Sequence, residues 1–80
     1  TEERRKELSK NVKALGENAK VAIRNIRRDA NDKCKDMLKK KEMTEDEQKA
    51  SEKIVQDLTD KFCGDVDKAV SEKEKEIMTV

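Results

Sequence analysis

Arg24, Arg27 and Arg28 fall within the run VAIRNIRRD, Val21 to Asp29. A guanidinium group presents a flat fork of donors that matches phosphate oxygens and stacks on bases, so a cluster of three points to polyanion binding. On a helix, at about 100° per residue, the three share one arc with Lys20, Asn31 and Lys35. Ala19, Ala22, Ile23, Ile26 and Ala30 take a second arc, and Asp29, Asp32 and Asp36 with Asn25 a third. Neighbouring cations must point the same way to follow a row of phosphates, and this segregation meets that need. Lys13, Lys10 and Lys6 continue the cationic arc toward the N-terminus, interrupted by Glu17. A charged arc on a helix is most often a solvated surface. The concentration of arginine rather than lysine at its centre, beside an apolar strip, favours the binding reading.

No other chemistry competes with it. The chain has no His, no Ser or Cys paired with a base, and no phosphate-cradling glycine loop. Neither catalytic residues nor a cofactor nor a metal site is therefore expected. Cys34 and Cys63 lack metal-ligand spacing. If the chain folds back near Glu42, Cys34 lies opposite roughly residue 51, and Cys63 is displaced about 12 residues, or ~18 Å, beyond disulfide reach. Both read as small hydrophobes in or beside a seam.

The element that positions the arginines is a long helix. Thr1 can cap it, with Glu2 and Glu3 in the first turn where negative charge suits the helix dipole. Leu8, Val12, Leu15, Ala19, Ile23, Ile26, Ala30, Cys34 and Met37 then recur with an 11-residue repeat. Such a repeat stays nearly in phase with a straight helix. The first helix is expected over about 2–41, with Lys39, Lys40 and Lys41 in its last turn beside the exposed carbonyls. Thr44-Glu45-Asp46-Glu47 has the capping-box spacing and starts a second helix, expected over about 45–79. Its apolar phase is Ser51, Val55, Leu58, Phe62, Val66, Ala69, Lys73, Ile77 and Val80, widened by Ile54, Val70 and Met78. Lys73 is the one charged member, its ammonium reaching past the seam into water. The remaining faces of this helix read as solvated. So short a connection makes an antiparallel hairpin. Gly16 and Gly64 each mark either a close approach of another backbone or an ordinary tolerated glycine.

Composition agrees. In 80 residues there is no Pro, two Gly, one aromatic and 49% charged residues, a recipe for helices with little core. The net charge of +1 hides an asymmetry: residues 1–43 carry +6 and residues 44–80 carry −5. Basic work therefore belongs to the first half. No apolar run approaches a membrane span, nothing resembles a signal peptide, and the chain reads as soluble. The apolar faces also lack the aromatic anchors of a membrane-surface helix. A hairpin alone buries only a narrow strip, so at least one more helix is expected to pack across it. The absence of an initiator Met at Thr1 fits an upstream segment.

TEERRKEL, VAIRNIRRDANDK, the Thr44 to Glu47 cap and the closing KEKEIM together resemble the C-terminal portion of the ribosome recycling factor family, over essentially the whole chain. VAIRNIRRDANDK is the most specific of these. The resemblance implies an all-α fold, a long antiparallel helical hairpin forming part of a three-helix bundle whose first helix is missing from this chain. The small α/β domain that the family inserts after that first helix is missing too. It implies a monomeric factor that binds large-subunit rRNA near the A and P sites of the ribosome and, with elongation factor G and GTP hydrolysis, separates the subunits after termination. It also implies no catalytic activity, no small-molecule substrate and no membrane. In the family the arginines of V-x-R-N-x-R-R-D contact rRNA; here they are Arg24, Arg27 and Arg28, and Lys20, Asn31, Lys35 and Lys13 on the same arc are expected to bind rRNA with them. Both the resemblance and the wheel single out Arg27, at the edge of the apolar strip. The expected location is an organelle interior, the chloroplast stroma ahead of the mitochondrial matrix, or a bacterial cytoplasm. A structural hairpin or coiled-coil adaptor with a protein partner is the alternative.

Overall fold

Both helix starts form as their caps predict. The Thr1 hydroxyl accepts from the Arg4 amide at 3.3 Å. Thr44 and Glu47 make the reciprocal pair, with the Glu47 amide donating to Thr44 Oγ1 at 3.1 Å and the Thr44 amide to Glu47 Oε1 at 3.4 Å. In the computed structural model, which describes residues 1–79, α1 runs Glu2–Lys39 and α2 Glu45–Met78. Val80, assigned to the apolar phase of the second helix, lies outside the described residues. The two helices form an extended all-α hairpin measuring 60 × 15 × 9 Å.

The first helix ends two residues earlier than its charge pattern predicts. Lys41 adopts a left-handed backbone with φ 59°. The Glu42 amide reaches back to the Met37 carbonyl at 2.9 Å and the Lys41 amide to Leu38 at 3.1 Å. This is the pattern of a Schellman ending, in which glycine usually holds the left-handed position. Lys40 caps the helix, and of the three lysines only Lys39 belongs to its last turn.

Packing between the helices is centred on small residues. Gly16 and Thr59 are the buried ones among the described residues. A Cβ on Gly16 would stand 2.5 Å from Val70 Cγ2, so a side chain here would force Val70 or the helix spacing to shift. What comes close is a valine side chain rather than backbone. Gly64 faces open space and is the ordinary tolerated kind. Thr59 satisfies its hydroxyl within its own helix, donating to the Val55 carbonyl at 2.7 Å.

The large apolar side chains do not fill this seam. Val12, Ile23, Cys34 and Val66 are half-buried along it, while Leu15 and Ile26 are each 68% exposed and Phe62 50%. They border an open groove along one face, lined by Ile23, Ile26, Val55, Leu58 and Phe62 in one stretch and by Val12, Leu15, Val66 and Ala69 in another. Lys73 sits at its border with the ammonium 3.2 Å from Glu76. A compact chain of 9.2 kDa exposes about 4,900 Å², whereas this one exposes 6529 Å². The excess is that of an elongated hairpin with one apolar face uncovered.

Candidate nucleic-acid interface

Within the cationic arc Arg27 lines the edge of the groove, while Arg24, Arg28 and Lys35 lie away from it around the helix. Ile26 borders the groove, and Arg24 and Arg28, two positions before and after it, lie about 200° away around the helix. The arc divides into two rows according to what α2 offers.

The inner row is Lys13, Lys20 and Arg27, seven residues apart. Glu74, Asp67 and Asp60 on α2 step by the same interval in the opposite direction, so the antiparallel register sets one acid against each cation. Lys13 Nζ lies 3.7 Å from Glu74 Oε2. Lys20 Nζ lies 2.8 Å from Asp67 Oδ1 and 2.9 Å from Glu17 Oε1, and its side chain is only 15% exposed. Hydrogen bonding to Asp67, then to Glu17, holds the Lys20 ammonium above the ordinary lysine value of 10.5. The third rung differs. Arg27 Nη1 donates to Gln56 Oε1 at 2.9 Å, and Gln56 Nε2 in turn donates to Asp60 Oδ1 at 2.8 Å. A neutral amide stands between guanidinium and carboxylate, so Arg27 is held without being paired to an acid.

The outer row is Arg24, Arg28 and Lys35. All three are exposed, and none lies within ion-pair distance of an acid among the described residues. Asn31, between the rows, is half-buried with Oδ1 enclosed and accepting no hydrogen bond among the described residues. The site residues nominated from sequence thus lie along one side of α1 with unequal freedom. Arg24, Arg28 and Lys35 are open, Arg27 is tethered, and Lys13 and Lys20 are engaged by α2. The acids and the amide that do this lie on faces of α2 whose pattern alone predicts only solvation. Their signal was the matched seven-residue spacing of opposite charges on two antiparallel helices, visible only once the register is fixed.

Flat guanidinium forks on a straight helix present fixed positive charge along one side of the rod. No helix among the described residues is long and apolar enough to cross a membrane.

A family model described as ribosome recycling factor matches residues 1–78. The chain belongs to the ribosome recycling factor family. Its similarity to the ribosome-recycling factor of Xanthomonas campestris pv. campestris (strain B100) is 64% identity over 80 residues, covering all of this chain and 43% of that protein. The factors of Xanthomonas oryzae pv. oryzae (strain PXO99A) and Xanthomonas euvesicatoria pv. vesicatoria (strain 85-10) are each 62% identical with the same coverage. The chain therefore spans less than half the length of the curated relatives it matches. All three are bacterial, and the preference for a chloroplast stroma or mitochondrial matrix has no support in them.

Proposed function

We propose that this chain is the rRNA-gripping part of a translation factor that recycles ribosomes after termination in a bacterial cytoplasm. The observation that carries the reading is the outer row: Arg24, Arg28 and Lys35 have no acid within ion-pair distance among the described residues, with Arg27 tethered beside them. Large-subunit rRNA near the A and P sites supplies the phosphates, and Lys13, Lys20 and Asn31 border the contact. The hairpin acts as a lever. Its arginine side grips rRNA while elongation factor G, using GTP hydrolysis, drives the factor and parts the subunits. No bond is made or broken by this chain.

The open groove has its place in the same reading. A further helix of the factor lies across Leu15, Ile26, Leu58 and Phe62 and completes a three-helix bundle in a monomeric factor. A small α/β domain lies outside these 80 residues. Covering the groove stiffens the lever, because a two-helix hairpin alone orders many residues for little buried surface.

The test is charge reversal. Arg24→Glu combined with Arg27→Glu should weaken pelleting with ribosomes by at least tenfold and flatten its salt dependence, with helix content unchanged by circular dichroism. Affinity within twofold of the parent, at an unchanged salt slope, would sink the grip. The adaptor reading, favoured by the exposed groove, expects that second result together with capture of a helical protein partner.

A further inference from the structure

The cross-helix ladder has three rungs of matched spacing, and only one lacks a direct ion pair. Lys13 with Glu74 and Lys20 with Asp67 are 3.7 and 2.8 Å apart. By register Arg27 should meet Asp60 in the same way. Instead Gln56, one turn before Asp60 on α2, receives the guanidinium on its oxygen and donates its amide hydrogen to the carboxylate. An amide bridges the two groups without cancelling either charge, since it carries an acceptor at one end and donors at the other. A guanidinium has five N–H donors, and the bond to Gln56 uses only one nitrogen, Nη1. The bond also fixes a side chain that would otherwise lose rotamer freedom on meeting a ligand.

We infer that Gln56 is a positioning residue that holds Arg27 away from Asp60 and so keeps its full charge available to an RNA phosphate. Asp60 orients the Gln56 amide, fixing which end faces Arg27. The same logic separates the rungs by role: Glu74 and Asp67 clamp the two helices together through lysines, while the Gln56 rung clamps them and leaves an arginine free for a ligand. This rests on the rRNA-grip reading above.

The experiment measures binding of the full-length factor that carries these 80 residues to purified bacterial large ribosomal subunits at several salt concentrations, with circular dichroism on every variant. Gln56→Ala lets the guanidinium close on Asp60. Affinity should fall about fivefold and the salt slope by about 0.7–0.9, the size of one phosphate contact. Adding Asp60→Asn to Gln56→Ala removes the competing carboxylate and should restore the slope, which a merely structural loss would not do. Gln56→Glu, which places a carboxylate directly on Arg27, should lower the slope as Gln56→Ala does. Arg27→Ala that weakens binding while Gln56→Ala leaves it unchanged overturns the role of Gln56 alone, as does failure of Asp60→Asn to rescue. Arg27→Ala that binds like the parent overturns the grip itself.

Discussion

Lys20 and Asp67, 47 positions apart in sequence, meet at 2.8 Å across the hairpin. Contact with Asp67 and then Glu17 raises the lysine above 10.5. A lysine whose folded value exceeds its unfolded value contributes stability that is fully present below about pH 10.5 and is lost as pH rises through the raised value. Urea midpoints of the parent should therefore exceed those of Asp67→Asn at pH 7–9. The difference should close as pH climbs past the raised lysine value, so a gap that persists undiminished there assigns the effect of Asp67 to something other than the pair.

Gly16 and Gly64 make a matched contrast. Alanine in a helix interior is favoured over glycine by about 1 kcal/mol, and at Gly64 nothing among the described residues lies within 4 Å of an added Cβ. Gly64→Ala should stabilise by about 0.5–1 kcal/mol. At Gly16 the same methyl meets Val70 Cγ2 at 2.5 Å. Val70 is β-branched and stiff in a helix, so either its rotamer is strained or the helices move apart, and overpacking of about 1–3 kcal/mol outweighs the helical gain. Gly16→Ala should lose about 1 kcal/mol. Equilibrium unfolding in urea of both variants decides it, and equal signs would show that the close approach at Gly16 has no energetic weight.

Lys41 occupies a left-handed position that costs an L-residue roughly 1–2 kcal/mol. Lys41→Gly should stabilise the hairpin by about 1 kcal/mol, read as a higher urea midpoint at unchanged slope. The hydrogen bonds from the Glu42 and Lys41 amides remain in place, so helix content should not change.

The elements were legible because their signals are local. Thr1, the Thr44 and Glu47 box and the 11-residue phase each act within one or two turns, and the helices form where those residues place them. α1 stops two residues short of where its lysine run points, because that run fits a last turn as well as it fits the loop that Lys41 makes. The seam was harder. The apolar phase predicts that Leu15, Ile26 and Phe62 close the hairpin, yet the contact belongs to Gly16 and Thr59, because two helices touching alone approach closest where side chains are smallest. The larger residues then flank a groove. The site was half legible: the arc of cations follows from α1 alone, whereas which of them are free depends on Asp67, Glu74 and Gln56 in α2. That pairing depends on the register between the helices, which no pattern within one helix contains.

The two rows of cations should separate in a salt titration. A contact that neutralises a phosphate releases counterions, and log affinity falls with log salt by about 0.7–0.9 per contact. Arg24 and Arg28 have no acid within ion-pair distance among the described residues, so each is free to make that exchange with RNA. Arg24→Ala with Arg28→Ala should lower the slope for ribosome binding by about 1.4–1.8. Lys20 is held by two carboxylates and Lys13 by one, and binding RNA would first have to break those pairs. Lys13→Ala with Lys20→Ala should change the slope by less than half as much, while lowering the urea midpoint because the inter-helix rungs are gone. Equal slopes for the two double variants would mean that the acids of α2 do not restrict the surface, and that the whole arc rather than its outer row meets the nucleic acid.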